Sequence, residues 1–289
     1  MNIEVKGHSG CDIEVVRQDG KLFVFKHSTD PQYSDRLVSQ AEKQREASLP
    51  EFQHIRVPRI HQIERSEKGT VSVKMDYVYS RNFVEFFEHA GFEQVRYLVD
   101  ALKMYIDHEV KNSDLTTVSH DVIIEKFADV RKKTLANPAL AGLNEVKEII
   151  EHSRRIFVDL PDLTIPVGTC HGDLTFSNIL FNGNNYYLID FLDSFIESPL
   201  LDIVKLRQDT RWLWSRLMYS QPCDNIRLKI AFGRIDEELD AYFAEKYVWY
   251  KKYYAPLQLM NFLRVLQYAH EQNVIDYLIS TLNEQLKAF

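Results

Sequence analysis

The sequence predicts an α+β protein in which a small β-rich part precedes a larger helical part. Short hairpin-forming runs fill the first 80 residues, whereas apolar residues recur at intervals of three and four from about position 82 onward. One stretch, residues 167–193, interrupts the helical pattern with short strands and loops. These observations divide the chain into an N-terminal part at 1–78 and a helical part at 79–289.

The N-terminal part is predicted to be a small antiparallel sheet with one helix. Alternating runs at 3–7 and 11–16 predict the first two strands. Two dipeptides mark the hairpin turns, Asp19-Gly20 and Lys68-Gly69. Residues 33–49 contain neither Gly nor Pro and carry apolar residues at near-helical spacing, so they predict the helix.

The remainder of the chain is predicted to be mainly helical. Apolar spacing predicts helices from residue 83 onward, including the whole of 110–165, and again after Pro199. The final helix places four apolar residues on one face, Val274, Leu278, Leu282 and Leu286.

Composition excludes several classes of protein. The 289 residues include 35 Lys+Arg and 42 Asp+Glu, and the resulting net charge of −7 does not suit a surface that follows nucleic-acid phosphates. No window approaches the roughly 18 apolar residues of a membrane-spanning helix. The three cysteines lie far apart in the sequence, which argues against a disulfide framework or a zinc site. We therefore expect a cytoplasmic protein with no nucleic-acid partner and no membrane insertion; the sequence identifies no protein partner.

Three oxygen-bearing side chains in HGDLTFSNILFNGNNYYLIDFLD (171–193) suit phosphoryl transfer. Asp173 is followed after five residues by Asn178, and after a further twelve by Asp190. Magnesium prefers hard oxygen ligands, which the Asn178 amide and the Asp190 carboxylate offer. Asp190 follows the apolar run 186–189, so it is predicted to emerge at the end of a strand. Asp173 is then available to accept a proton from a substrate hydroxyl.

The spacing His-x-Asp, four residues, then Asn is that of the kinase catalytic loop. With HGDLTFSNIL followed by LIDFLD, the sequence resembles the aminoglycoside phosphotransferase and choline kinase family, small-molecule kinases with a two-lobed protein-kinase-like fold. The resemblance implies that Asp173 is the catalytic base and that Asn178 and Asp190 hold Mg²⁺. It also implies ATP as phosphoryl donor and a structural role for His171.

The N-terminal strands carry candidate contacts to the nucleotide phosphates. The turn Gly7-His8-Ser9-Gly10 joins two predicted strands, and its glycines would let backbone amides approach an anion. We therefore assign Gly7, Ser9 and Gly10 to nucleotide binding, with an ordinary hairpin turn as the alternative. Lys26 lies on the third strand, where kinases place the lysine that contacts the α- and β-phosphates.

Two further assignments follow from the resemblance. A helix glutamate that pairs with Lys26 is expected at Glu46, with Glu42 as the alternative. Asp76 and Val78, at the junction of the two predicted parts, resemble the interlobe hinge whose backbone groups bind the adenine edge.

Together these features predict an ATP- and Mg²⁺-dependent phosphotransferase acting on a hydroxyl of a small metabolite. An amino alcohol, a sugar and an aminoglycoside-like compound are all possible acceptors. The alternatives are a protein Ser/Thr kinase and a catalytically inactive nucleotide-binding regulator. The sequence has no Asp-Phe-Gly, since Leu192 follows Phe191, and this disfavours the protein kinase. The intact set of Asp173, Asn178 and Asp190 disfavours the inactive regulator.

The acceptor pocket is the part that the sequence predicts least. Residues 242–254 are dense in aromatic side chains, and Trp212 and Trp214 add two more. Aromatic faces could hold a quaternary ammonium through cation–π attraction or stack on a sugar. Core packing is the favoured explanation for most of these side chains.

Overall fold

The computed structural model describes residues 3–6, 11–28, 30–50 and 52–289. The predicted phosphate-covering turn, with Gly7, Ser9 and Gly10, lies outside the described residues.

The chain packs into two compact units. The first comprises Met1–Tyr105, His171–Asp193 and Cys223–Leu228, and the second comprises Ile106–Cys170, Ser194–Pro222 and Lys229–Phe289. The predicted boundary after residue 78 falls inside the first unit, because the segments up to Tyr105 and around Asp173 pack with the N-terminal strands.

The strands are, in chain order, β1 (Ile3–Lys6), β2 (Cys11–Gln18), β3 (Lys21–Ser28), β4 (Ile55–Arg56), β5 (Ile60–Arg65), β6 (Val71–Asp76), β7 (Ser113–Val118), β8 (Leu163–Gly168), β9 (Ile179–Asn182) and β10 (Asn185–Leu188). The helices are α1 (Pro31–Ala47), α2 (Phe83–His89), α3 (Phe92–Lys111), α4 (His120–Ala136), α5 (Asn144–Val158), α6 (Pro199–Thr210), α7 (Trp214–Leu217), α8 (Asn225–Lys246), α9 (Val248–Leu266) and α10 (Gln272–Leu286). None of the helices in the described part of the chain combines the length and the apolar character needed to cross a membrane.

The first unit is built on a five-stranded antiparallel sheet with the order β1-β2-β3-β6-β5. Helix α1 packs on β3, β5 and β6. The buried residues between helix and sheet are Cys11, Leu37, Ala41, Ile60, Val71, Val73 and Met75. Burial of each large apolar side chain stabilises such a core by about 1.5–3 kcal/mol.

The predicted hairpin turns are present. Gln18 pairs with Lys21, so Asp19 and Gly20 form a two-residue loop, and both have positive φ, 50° and 78°. This geometry matches the right-handed twist of the flanking strands. Gly69, in the second predicted turn, also has a positive φ of 85°.

Helix α1 begins where its sequence provides a cap. The side chain of Asp30 accepts a hydrogen bond from the Gln32 amide at 2.9 Å, and Pro31 occupies the first helical position. Its buried face carries Leu37, Ala41 and Gln44, spaced by four and three residues.

A three-stranded sheet with the order β4-β10-β9 completes the first unit. Asn182 pairs with Asn185, so Gly183 and Asn184 form a two-residue loop. Phe181 of β9 stacks on Phe86 of α2 with ring centroids 4.4 Å apart. The hydroxyl of Tyr186 donates to the Gln94 carbonyl at 3.2 Å. These contacts fix the hairpin from which the chain continues to Asp190.

The second unit is mainly helical. Helix α9 packs on α4, α5, α6 and α10, and the predicted apolar face of α10 is buried. Ser198 caps α6, since its hydroxyl accepts from the Leu200 amide at 3.2 Å and donates to the Pro166 carbonyl at 2.6 Å.

The expectation of helices throughout 110–165 is wrong at both ends. Strands β7 and β8 form an antiparallel two-stranded sheet, with Ser113 paired to Gly168 and Val118 to Leu163. The strand β7 is largely exposed, so it lacks the alternation of buried and exposed residues by which a strand is recognised.

The loop before Asp173 approaches the segment after Asp190 closely. Gly172 has a φ of +86°, and a Cβ atom at this position would lie 1.9 Å from the carbonyl oxygen of Leu192. The amide of Leu192 donates to the His171 carbonyl at 3.0 Å. Glycine is therefore required at position 172 both by backbone conformation and by space.

We expect Gly172→Ala to lower the free energy of unfolding by about 3 kcal/mol, because backbone must move as well as adopt a strained φ. Gly183→Ala is the matched control, since Gly183 has φ +58° but no heavy atom within 4 Å of an added Cβ. The control should cost about 1 kcal/mol. Urea unfolding measures both values, and equal losses would show that the approach to Leu192 is not a constraint.

Candidate active site

Asp173 and Asn178 are joined directly. The Asn178 side-chain amide donates to the Asp173 carboxylate at 2.9 Å and to the Asp173 carbonyl at 2.9 Å. A short 3₁₀ turn, Phe176–Asn178, brings the two residues together across the loop. Because the Asn178 nitrogen is used in this way, its amide oxygen is the atom suited to bind a cation.

His171 ties this loop to the strand segment that leads to Asp190. Its Nδ1 accepts a hydrogen bond from the Asp173 amide at 3.2 Å, so its Nε2 carries the proton and donates to the Ile189 carbonyl at 2.9 Å. Burial lowers the pKa of His171 to about 4. The ring is therefore neutral near pH 7, which fits the structural role that was predicted for it.

Asp190 leaves the hairpin in an unusual backbone conformation. Its φ is +63°, in the left-handed region that non-glycine residues rarely adopt. The preceding amide, that of Ile189, donates to the Asn178 carbonyl at 3.0 Å. Asn178 therefore contacts both Asp173 and the residue adjacent to Asp190.

Lys26 of β3 forms an ion pair with Asp190, and the Lys26 side chain is 15% exposed. The predicted pairing of Lys26 with Glu46 is not formed. Glu46 is exposed on α1, and Glu42, the alternative, bonds Arg45 at 2.7 Å. The reason is helix rotation: Glu46 lies nine residues beyond the buried Leu37, about half a turn away from the face that packs on the sheet.

Lys43 contributes a contact that the sequence did not indicate. Its Nζ donates to the Leu192 carbonyl at 2.6 Å, and its charge also acts on His171. Helix α1 therefore contacts the segment after Asp190 through a lysine. The spacing of the buried residues Leu37, Ala41 and Gln44 gives the rotation of α1, but it does not single out Lys43 as the residue that bonds Leu192.

The predicted hinge residues border a cavity. Asp76 ends β6, and Asp76 and Val78 line a cavity of about 520 Å³ together with residues of the β2–β3 turn and Tyr187. The Asp76 carboxylate accepts from Nε2 of His61 at 2.6 Å. The lining does not include Lys26 or Asp190, although both are described residues. Adenine binding at Asp76 and Val78 stays a prediction.

The donor set fits a magnesium ion more than a transition metal. Asn178 and Asp190 supply an amide and a carboxylate oxygen, and the Asp190 carboxylate already has a cationic partner in Lys26. Within the described ranges, no group of three or more His, Cys, Asp or Glu side chains could hold a metal ion. A cation bound here would therefore need further oxygen ligands, such as those of phosphates.

The aromatic segment 242–254 mostly contacts groups of the protein itself. The Tyr247 hydroxyl donates to Asp107 at 2.6 Å, and the Tyr250 hydroxyl donates to Asp240 at 2.6 Å. Lys246 lies 4.9 Å from the ring centroid of Tyr242. The core-packing interpretation is therefore the better one for these side chains.

Comparison with known proteins agrees with this geometry. Residues 53–221 match the model of the phosphotransferase enzyme family, APH. A comparison with curated protein sequences gives no significant match.

Solved structures of aminoglycoside phosphotransferases are similar in fold. One is a thermostable mutant of aminoglycoside phosphotransferase APH(4)-Ia in ternary complex with AMP-PNP and hygromycin B, with a TM-score of 0.64, 12% identity and coverage of 100% of this chain and 94% of that chain. Another is the GDP complex of wild-type aminoglycoside 2'-phosphotransferase-IIIa, with a TM-score of 0.64, 17% identity and coverage of 100% and 93%. A third is the GDP and kanamycin complex of APH(2″)-IIia, at the same TM-score, identity and coverage.

These findings confirm the predicted protein-kinase-like α+β fold. They also confirm the predicted resemblance and, with it, the predicted enzyme class, a small-molecule phosphotransferase. The family match spans more than half of the 289 residues and includes Asp173, Asn178 and Asp190. The chain therefore belongs to the phosphotransferase enzyme family.

Proposed function

We propose that this protein transfers the γ-phosphoryl group of ATP to a hydroxyl of a small molecule, with Asp173 as proton acceptor. The observation that carries the proposal is the double contact of Asn178. Its side chain bonds the Asp173 carboxylate, and its carbonyl accepts from Ile189, next to Asp190. Asn178 thus links Asp173, the predicted base, to the end of the strand that carries the predicted metal ligand Asp190.

Asn178 and Asp190 are the residues that would hold Mg²⁺. The pairing of Asp190 with Lys26 supports this assignment, because it shows that the carboxylate is placed to receive positive charge. When bound, Mg²⁺ supplies charge neutralisation to the phosphate oxygens. Lys26 is the side chain that would then contact the nucleotide phosphates, as its position on β3 predicts.

The remaining chemistry is performed by side chains of the loop. The acceptor hydroxyl oxygen forms a bond to the γ-phosphorus while the bond from that phosphorus to the bridging oxygen of ADP breaks. The hydroxyl proton passes to the Asp173 carboxylate, which Asn178 holds in orientation at 2.9 Å. The buried, neutral His171 orients the loop through its two hydrogen bonds.

The structure favours a small acceptor over a protein acceptor. Protein kinases place an activation segment after the metal-binding aspartate, and this segment takes part in substrate binding. Here, α6 begins at Pro199, only nine residues beyond Asp190. We further propose a cytoplasmic location, in keeping with three cysteines, Cys11, Cys170 and Cys223, that form no disulfide among the described residues.

A screen for phosphoryl transfer from ATP to hydroxylated metabolites is the direct test of the proposed function. Formation of a phosphorylated product, measured by mass spectrometry, would support it. ATP hydrolysis without any product across sugars, amino sugars, amino alcohols and sugar acids would contradict it.

Asp173→Asn should lower kcat by about 10²–10⁴-fold, because the amide cannot accept the proton. ATP affinity, measured by calorimetry, should stay within about threefold of the wild-type value, since this side chain is not assigned to the nucleotide. A turnover within about threefold of wild type would contradict the role of Asp173.

Asp190→Asn should remove most of the effect of Mg²⁺ on nucleotide binding. Removing a group that only supports a metal ligand lowers metal affinity about 10–100-fold. Removing the ligand itself should therefore lower Mg²⁺ affinity by about tenfold or more. Calorimetry of ATP with and without Mg²⁺ measures this difference. Asp193→Asn, an exposed carboxylate three residues further on, is the matched control and should behave as wild type.

Lys43→Met should lower kcat about tenfold, because it removes a charge-assisted hydrogen bond to the segment after Asp190. Glu46→Gln, on the same helix but exposed, should leave kcat and the KM for ATP unchanged. The opposite pattern, a lower kcat for Glu46→Gln and an unchanged kcat for Lys43→Met, would contradict this role of Lys43 and support the pairing of Lys26 with Glu46.

A further inference from the structure

The carboxylate of Glu197 connects the two chain positions that flank the segment 171–193, which carries the candidate active-site residues. The thiol of Cys170, which directly precedes this segment, donates to Glu197 Oε2 at 3.1 Å. The amide of Ser194, which directly follows the segment, donates to Glu197 Oε1. Each oxygen of one carboxylate therefore holds one end of the segment, and both contacts lie within the second unit.

Neighbouring hydrogen bonds fix the position of Glu197 itself. The amide of Gly168, at the end of β8, donates to the Glu197 carbonyl at 2.8 Å. The next residue, Ser198, caps α6 and donates from its hydroxyl to the Pro166 carbonyl at 2.6 Å. Glu197 is thus held between the end of a strand and the start of a helix, and side chains supported by such elements are placed more precisely than side chains on loops.

The two donors require a carboxylate at position 197. An ionised carboxylate offers two acceptor oxygens and no donor, which matches a thiol and a backbone amide that both donate. Hydrogen bonds to an ionised acceptor are also stronger than those between neutral groups. A glutamine offers one acceptor oxygen, so it can serve only one of the two donors. Cys170 is 2% exposed, so water cannot readily replace the lost acceptor.

The bridge continues a pairing that exists inside the segment. The Leu192 amide donates to the His171 carbonyl at 3.0 Å, and the His171 Nε2 donates to the Ile189 carbonyl at 2.9 Å. Cys170 is the residue before His171, and Ser194 lies two residues beyond Leu192. The chain entering the segment and the chain leaving it are therefore bonded to each other directly within the segment and through Glu197 at its ends.

We propose that Glu197 is a positioning residue of the phosphoryl transfer. By holding Cys170 and Ser194 it fixes the two chain ends from which Asp173 and Asp190 extend. This inference rests on the proposed function, and it assigns to Glu197 no contact with nucleotide, acceptor or metal. Phosphoryl transfer is catalysed mainly by positioning, and a displacement of reacting groups by about 1 Å can lower the rate about 10²-fold.

Glu197→Gln is the main test, because it keeps the shape of the side chain and removes one acceptor oxygen. We expect kcat to fall about tenfold, the loss typical of groups that orient a ligand. The gain in ATP affinity that Mg²⁺ produces, measured by calorimetry, should fall by about threefold or more because Asp190 is less well placed. ATP affinity without metal should stay within about threefold of wild type.

Two variants at Cys170 test the bridge by conservative rescue. Cys170→Ser keeps a donor to the Glu197 carboxylate, whereas Cys170→Ala removes it. Cys170→Ser should stay within about threefold of the wild-type kcat, and Cys170→Ala should approach the loss seen in Glu197→Gln. Losses in the double variant Cys170→Ala/Glu197→Gln should be less than additive, because both changes break the same bridge.

Glu148→Gln is the matched control, since Glu148 is an exposed carboxylate of α5 in the same unit. Thermal melting of each variant separates a loss of folding from a loss of positioning. A lower Tm for Glu197→Gln, with kcat and the Mg²⁺ effect of the folded protein unchanged, would overturn the inference and leave Glu197 a purely structural role. Equal kcat values for the two Cys170 variants would overturn the bridge through the thiol.

The same measurements separate this inference from the proposed function. If the wild-type protein transfers a phosphoryl group to none of the hydroxylated metabolites, the proposed function fails. The Mg²⁺ effect on ATP binding then still decides the role of Glu197: a smaller effect in Glu197→Gln than in Glu148→Gln supports the positioning of Asp190, and equal effects overturn it.

Discussion

The close approach of the Leu192 carbonyl to Gly172 is the constraint on which the candidate site depends. It lets two chain segments, the loop at 171–173 and the segment at 189–192, lie side by side with hydrogen bonds at both ends. A side chain at position 172 would collide with the Leu192 backbone. The Nε2 of His171 then bonds Ile189, and the positive φ of Asp190 turns that residue out of the hairpin. A left-handed aspartate is costly by itself, so its presence indicates that the surrounding contacts determine it.

Two lysines, Lys26 of β3 and Lys43 of α1, contact the segment that contains Asp190. Lys26 pairs with the Asp190 carboxylate, and Lys43 bonds the Leu192 carbonyl two residues further on. Helix α1 was expected to contribute a glutamate to Lys26; it contributes instead a lysine that bonds the Leu192 carbonyl. This arrangement places positive charge beside the Asp190 carboxylate, which suits a site that receives the negative charge of a nucleotide. It also means that Lys26 is oriented by a carboxylate of the loop rather than by α1.

The sequence predicted the parts of the molecule that are fixed by short-range geometry. The turns at Asp19-Gly20 and Lys68-Gly69 each need a residue that tolerates positive φ, and Gly20 and Gly69 supply it. The spacing of Asp173, Asn178 and Asp190 follows from one loop and one hairpin, so the sequence alone can predict it.

The partner of Lys26 depends on the rotation of α1 about its axis, which sequence motifs do not describe. Strand β7 was not predicted, because its side chains are largely exposed and show no alternation of buried and exposed residues.

The fold by itself does not decide what an enzyme of this family phosphorylates. The chain shares its fold with aminoglycoside phosphotransferases at 12% and 17% identity, and such similarity leaves the acceptor undetermined. Catalysis of phosphoryl transfer needs the carboxylates and the amide of the loop, and these place no condition on the charge of the acceptor. That condition is set by the walls of the acceptor site.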